Sequence, residues 1–203
     1  MLSSVVVLAV AFVTWAVVHS LLASRFSKRW ARQTFGPGAD RWYRLAYNLF
    51  AGVSFLPILA MLAVLPDRSL YTVPAPWDWV MRTGQLLALA GLGAAFLQTG
   101  PMAFAGLAQL QGQEPDDPGP LVVRGLYCRV RHPLYLFSTL LVWLTPAMTV
   151  NWLASCLLIT LYFYLGSLHE EQRLLAQFGQ AYADYRQRVP MLLPRPGRCV
   201  PPS

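Results

Sequence analysis

Two short stretches of this chain hold residues whose types and spacing suit chemistry. One is Arg131-His132-Pro133-Leu134-Tyr135; the other is the pair Glu170-Glu171. Proline is favoured at the first position of a helix, where its missing amide is not needed. The first stretch therefore predicts a helix that begins at Pro133, with His132 at its cap and Arg131 just outside. A helix start collects backbone amides and the positive end of the dipole, which together favour an anion. Arg131 would add a planar, forked cation suited to a carboxylate or a phosphate. A plainer reading leaves Arg129 and Arg131 as interfacial anchors and His132 as a capping residue. Glu170 and Glu171 are adjacent, so they point in different directions around a helix and are expected to have different partners. Their plainer reading is solvated charge at the membrane boundary.

The elements that would position these residues are hydrophobic helices. A helix needs about 20 predominantly apolar residues to cross the hydrocarbon layer. Residues 3–23 and 45–65 meet that length with no formal charge, and a third span lies within 80–107. Residues 134–168 are apolar throughout, but Pro146 and Asn151 interrupt them. This stretch reads as two helices joined by a tight turn at Thr145-Pro146-Ala147-Met148-Thr149, because proline lacks the amide that a continuous helix would use. The expected fold is thus all-α: a polytopic membrane bundle of about five transmembrane helices. The fourth, 134–145, is too short to span untilted. A hairpin returns its second end beside its first, so Arg131 and His132 should lie near Glu170 and Glu171. Beyond them Leu174, Leu175, Phe178, Tyr182 and Tyr185 share one helical face, which predicts a continuing amphipathic, interfacial helix. The expected division is a three-helix region at 1–106 and a C-terminal cofactor-binding region at 107–203, made of linker, hairpin, interfacial helix and tail.

Composition agrees with that class. The 203 residues are 56% hydrophobic and only 12% charged, against roughly a quarter charged in an average soluble domain. Arg25, Lys28 and Arg29 follow the first span rather than precede it. That is the reverse of a cleavable signal, so a retained helix is expected. The loop after the first span carries Arg25, Lys28, Arg29, Arg32, Arg41 and Arg44, whereas the loop after the second has Arg68 and Arg82. Arg124, Arg129 and Arg131 follow the third span, and Arg173, Arg186, Arg188, Arg195 and Arg198 the last. By the positive-inside rule this places the N-terminus outside and the C-terminal residues in the cytoplasm, of a bacterial inner membrane. The net charge of +7 is accounted for by topology and by anionic lipid headgroups, and no nucleic-acid partner is expected. The first three spans hold no Asp, Glu, Lys or Arg in their interior, which argues against an ion pump. Gly91, Gly93, Ala94 and Ala95 form a small-residue surface suited to close helix packing. Residues 109–120 read as a polar linker, and the clustered Glu114, Asp116 and Asp117 as solvated. Cys128, Cys156 and Cys199 form no CxxC pair and point to neither a disulfide framework nor a metal site.

The array Gly125-x-Tyr127-x3-Arg131-His132-Pro133-x-Tyr135, a hairpin, then Glu170-Glu171-x2-Leu174-x3-Phe178-Gly179-x2-Tyr182-x2-Tyr185 resembles the membrane-embedded S-adenosylmethionine-dependent methyltransferases. That group includes isoprenylcysteine carboxyl methyltransferases and phospholipid N-methyltransferases. The resemblance covers residues 121–194, and both halves occur in order around the hairpin. It implies S-adenosylmethionine as cofactor, with contacts from Tyr127, Arg131, His132, Pro133, Tyr135, Glu170 and Glu171. It also implies Arg186 near the substrate, and His132 is the titratable group closest to the chemistry. Phe137 departs from the pattern, since many members have a small residue there, and this puts close helix packing at that point in doubt. His19-Ser20-Leu21-Leu22-Ala23-Ser24, Arg44-Leu45-x-Tyr47-Asn48, Leu144-Thr145-Pro146-x-Met148-Thr149 and Val189-Pro190-Met191-Leu192 look most like the branch containing methanethiol S-methyltransferases. The implied acceptor is a small thiol or a lipophilic molecule, with membrane lipids as surroundings. Two alternatives stay open: methylation of a prenylcysteine carboxylate or phospholipid amine, and a non-enzymatic membrane factor of nitrogen-oxide metabolism with a methyltransferase-like shell. His19 reads either as a hydrogen-bonded packing residue or as a support to the site.

Overall fold

The computed structural model describes residues 2–110 and 120–194. Glu114, Asp116 and Asp117 of the linker lie outside the described residues, as do Arg195, Arg198 and Cys199 of the tail. Four helices are long and apolar enough to cross a membrane: α1 (Leu2–Ala23), α3 (Ala39–Val64), α4 (Trp77–Gln98) and α8 (Val150–Phe178). At 1.5 Å per residue, a 22-residue helix such as α1 is about 33 Å long, enough for a hydrocarbon core of roughly 30 Å. α7 (Pro133–Trp143) has 11 residues and reaches about half that distance, as its sequence led one to expect. Leu87 is 67% exposed and Val64 76%. In a bundle solvated by lipid an outward leucine or valine costs nothing, so apolar side chains need not turn inward.

The chain forms two compact units. The first comprises residues 1–68, 100–117 and 149–155. Here the basic stretch after α1 is not a loop but a helix, α2 (Arg25–Phe35), whose first turn is capped by Ser24 Oγ accepting from the Ser27 amide. Trp15 on α1 donates to Ser54 Oγ on α3 (3.0 Å) and stacks on His19 at 4.7 Å. His19 Nε2 lies 2.7 Å from the Tyr47 hydroxyl, so the histidine is hydrogen-bonded between the two helices. Asn48 Nδ2 donates to the carbonyls of Phe104 and Ala105, docking α5 (Pro101–Ala105) and α6 (Leu107–Leu110) against α3. The third span, expected within 80–107, is α4, which ends at Gln98, where Thr99 and Gly100 turn the chain into α5. The start of α8 is capped twice. Thr149 Oγ1 accepts from the Trp152 amide, and Asp67 Oδ1 accepts from the Asn151 amide at 3.0 Å.

The second unit comprises residues 69–99, 118–148 and 156–203. α4 and α7 run antiparallel, with Gly84 opposite Leu144 and Gly91 opposite Phe137. A Cβ at Gly91 would lie 2.5 Å from the Phe137 ring. The departure at Phe137 therefore packs closely after all, the ring occupying space that a glycine on α4 leaves open. The small-residue face is Gly84, Ala88, Gly91 and Ala95 at helical spacing, with Ala88 and Ala95 buried. Gly93 has nothing within 4 Å, a correction to the surface read from sequence. The hairpin turn between α7 and α8 contains a strand, β2 (Ala147–Thr149), paired with β1 (Ser69–Thr72). Trp143 Nε1 donates to Thr160 Oγ1 across the hairpin.

The expected continuous helix through Tyr185 is broken. α8 ends at Phe178, Gly179 adopts φ +54°, and α9 (Gln180–Arg188) follows. The shared apolar face survives the break: Tyr182, Tyr185 and Val189 form a core with Leu174, Phe178, Leu121 and Val123. That face packs on the segment leading into the Arg131-His132-Pro133 stretch, which carries α9 to the site. Cys128 is disulfide-bonded, against the expectation of no such pairing, since separation along the chain does not limit which thiols meet. Cys156 is a buried free thiol.

Candidate active site

Tyr127, Arg131, His132, Pro133, Tyr135, Glu170, Glu171 and Arg186 all lie in this second unit. α7 does begin at Pro133, with His132 at the cap position, but the imidazole makes no capping hydrogen bond. It turns instead toward the two glutamates. Nε2 lies 3.3 Å from Glu171 Oε1, and Nδ1 lies 3.6 Å from Glu170 Oε2. Arg131 Nη2 pairs with Glu171 Oε1 at 2.8 Å, and Nη1 donates to the Arg186 carbonyl at 2.6 Å. Tyr135 donates to Glu170 Oε2 at 3.1 Å, and its ring stacks between His132 and Phe163. The adjacent carboxylates thus have different partners: Glu171 takes the arginine, Glu170 the tyrosine, and the imidazole lies between them.

Burial sharpens the arrangement. The side chains of His132, Glu171 and Arg131 are 4%, 7% and 10% exposed, whereas Glu170 is 34% exposed. Opposite charges taken out of water must be well paired or the desolvation cost dominates. Glu171 satisfies this, because Arg186 Nε adds a further cation at 3.8 Å from its second oxygen. Arg186 itself is half exposed. One donor is left over: Arg131 Nε is buried and has no hydrogen-bond partner among the described residues.

Backbone contacts set the height of the whole group. The amides of Arg131 and His132 donate to the carbonyls of Pro190 (2.9 Å) and Met191 (3.2 Å). The segment after α9 therefore straps the loop that carries both residues. Tyr185 donates to the Tyr127 carbonyl at 2.7 Å. The Tyr127 phenol is half-buried, and desolvation, reinforced by the Glu170 charge, pushes it up from its ordinary value. Pro133 is fully buried. The turn before these residues needs Gly125 (φ +60°), where a Cβ would overlap the Gln98 carboxamide. Gln98 Oε1 in turn accepts from the Leu126 amide at 3.0 Å.

Three contributors were missed from sequence: Gln98, the Pro190-Met191 strap, and the stacking ring of Phe163. A glutamine closing an apolar helix is a signal for the first. The strap acts through carbonyls, which every residue has, so its composition carries no signal. The group offers a cation, two carboxylates of unequal exposure and stacked rings within one cluster of side chains, suited to a molecule bearing both signs of charge.

Comparison with known proteins agrees with this chemistry. No family model matches the chain, and no solved structure matches it. Among curated proteins, the chain is 35% identical over 198 residues to methanethiol S-methyltransferase 2 of Bradyrhizobium diazoefficiens, covering 89% of the chain and 70% of that protein. It is 32% identical over 206 residues to methanethiol S-methyltransferase of Mycobacterium tuberculosis, covering 96% and 80%. The enzyme of that name from Pseudomonas deceptionensis is 32% identical over 186 residues, covering 89% and 69%. With four membrane-length helices and relatives of this kind over most of its length, the chain is an integral membrane methyltransferase and belongs to the methanethiol S-methyltransferase family.

Proposed function

We propose that the protein transfers the methyl group of S-adenosylmethionine to a small thiol, with methanethiol, the substrate in its relatives' names, as the first candidate. The observation that carries this reading is the buried group of Arg131, His132 and Glu171 beside the more exposed Glu170 and Tyr135. The donor is zwitterionic, and the residues fit it. Arg131 has a buried Nε–H with no acceptor among the described residues, suited to a carboxylate oxygen. Glu170 is accessible and suits the ammonium or the ribose hydroxyls. Tyr127 offers a half-buried ring to pack on it, while Tyr135 holds Glu170 in place.

When bound, the cofactor supplies a methyl group on a sulfonium, already activated for displacement. The protein's share is to hold the nucleophile in line with that carbon, and orientation of this kind can contribute several kcal/mol or more, of order 7–11 in the best intramolecular cases. A thiol reacts as its thiolate. His132 has both ring nitrogens against carboxylates, so its part is to order Glu170 and Glu171; no side chain is assigned as the base. Arg186, with its guanidinium half exposed, is placed on the acceptor side. The basic residues of α2 and of the C-terminal part support a site on the cytoplasmic face of a bacterial inner membrane, with the N-terminus outside.

The test is calorimetry of S-adenosylmethionine with detergent-purified protein, with Glu171→Gln alongside. Loss of a charge-assisted partner at a buried arginine costs about 1.5–3 kcal/mol, roughly ten- to a hundredfold in affinity. Saturable wild-type binding weakened to that extent, with insertion unchanged, is the expected result. No binding by folded wild-type protein would refute the reading and favour a non-enzymatic membrane factor. Methanethiol is then compared with a phospholipid amine and a prenylcysteine as acceptor. Turnover of a lipid but not of the thiol would move the substrate to the lipophilic class.

A further inference from the structure

Tyr182 belongs by sequence to an apolar helical face and to the array that resembles the membrane methyltransferases, without a part of its own in the site, and its ring does lie in the core formed with Tyr185 and Val189. Its hydroxyl does not fit that role. The residue is 1% exposed, and the hydroxyl has no hydrogen-bond partner among the described residues. A buried polar group left unpaired costs free energy, and each such group asks for an explanation. Tyr182 shares this condition with one other atom of the site, Arg131 Nε.

Both belong to the contact of the Arg131 side chain with α9, and the Arg131 charge is among those that act on the Tyr182 phenol. Arg131 Nη1 donates to the Arg186 carbonyl on α9, and Tyr182 lies one helical turn earlier on the same face of α9. Burial first, and then the negative charges of Glu171 and Glu170, hold the phenol well above its ordinary value, although Arg131 and Arg186 oppose them. It is therefore a neutral O–H donor at any working pH. Arg131 has already given Nη2 to Glu171 and Nη1 to a carbonyl. Of its five N–H donors, the Nε–H belongs to the guanidinium nitrogen that is buried without a partner among the described residues, and a second donor would complete the pair that a carboxylate's two oxygens take.

We propose that Tyr182 is a ligand-binding residue whose hydroxyl acts with Arg131 Nε to hold the carboxylate of the methyl donor. The inference rests on the cofactor reading above and adds to it the second donor and the part of the cofactor bound there. Two donors, one of them on a cation, select an anionic oxygen, and the carboxylate is the one anionic group of S-adenosylmethionine. Tyr185, the other buried tyrosine of α9, is excluded from this role because its hydroxyl is spent on the Tyr127 carbonyl.

The test compares two probes on wild-type protein and Tyr182→Phe: S-adenosylmethionine, and decarboxylated S-adenosylmethionine, which lacks only the carboxylate. Phenylalanine keeps the ring in its core and removes the unpaired hydroxyl, so the ligand-free thermal midpoint should stay level or rise. Affinity for S-adenosylmethionine should fall about tenfold, the worth of a hydrogen bond to a charged group, while affinity for the decarboxylated probe should not change. Equal weakening of both probes, or a lowered ligand-free midpoint, would make the hydroxyl structural and overturn the proposal. So would unchanged affinity for both. If wild-type protein bound neither probe, the cofactor reading would fall first and this inference with it. Tyr185→Phe is the control, expected to lower the midpoint without separating the two probes.

Discussion

The contact between Gly91 and Phe137 allows the packing of α4 on α7 to be tested at one atom. In Gly91→Ala the added methyl would lie 2.5 to 2.6 Å from three atoms of the Phe137 ring, against an ordinary carbon–carbon contact of roughly 3.5–4 Å. The ring or the helix must give way by about 1 Å. Overpacking of this kind costs about 1–3 kcal/mol. Alanine in a helix returns about 0.8–1.0 kcal/mol relative to glycine, so the net expectation is a loss of roughly 0–2 kcal/mol. The same substitution at Gly93, which has nothing within 4 Å, keeps the gain and lacks the clash. The difference between the two variants isolates the contact at about 1–3 kcal/mol. Because α7 carries Pro133 at its first position, a shift of this helix also moves Arg131 and His132 against Glu171. Gly91→Ala should therefore weaken S-adenosylmethionine binding, and Gly93→Ala should not. The assay is unfolding in mixed micelles by circular dichroism, in a cycle with Phe137→Leu, which removes ring atoms from the crowded side. Coupling should be favourable in the double variant, since the smaller side chain makes room for the methyl. If Gly91→Ala proved as benign as Gly93→Ala, the close approach of these helices would be wrong.

Two further predictions concern the ends of the bundle. Asp67 caps α8 from another part of the chain. Although burial opposes its charge, hydrogen bonds from Thr149 and from the amides of Asn151, Arg68 and Val150 hold its carboxyl below the usual range. Asp67→Ala should cost about 0.5–1 kcal/mol, the lower part of the range for a helix cap because the group is exposed. A depressed folded-state value means that this stability is present above the unfolded value of about 3.9 and is lost as pH falls through the folded one. Thermal midpoints of the two proteins should therefore differ near neutral pH and converge in acid; a gap independent of pH would refute the charge-based account. Gly125→Ala places a side chain at φ +60° and against Gln98, at a cost of at least 1–2 kcal/mol from the backbone alone. It should lower the unfolding midpoint and the affinity for S-adenosylmethionine together. Full affinity in this variant would show that the turn does not position Tyr127 and Arg131.

Membrane insertion depends on the length and polarity of local stretches, and both are properties of consecutive residues. That is why the spans, the short helix from Pro133 and the hairpin that returns Glu170 and Glu171 beside Arg131 and His132 could all be read before any coordinates. The family array was legible for the same reason, since its residues cluster at the two ends of one hairpin. Other features depend on what a residue meets after folding. Which glutamate takes the arginine follows from the rotation of α8, which its sequence does not set alone. Gly179 breaks a periodic apolar face that pattern alone would continue, because a left-handed turn there lets α9 pack on the loop before the site. Phe137 looked like an obstacle until Gly91 stood opposite it, and Gly93 looked equivalent to Gly91 until the helix face was known. The unpaired hydroxyl of Tyr182 is of this second kind as well. Its type marks it as a core aromatic, and only the packing around it reveals that its polar atom is buried without a partner among the described residues.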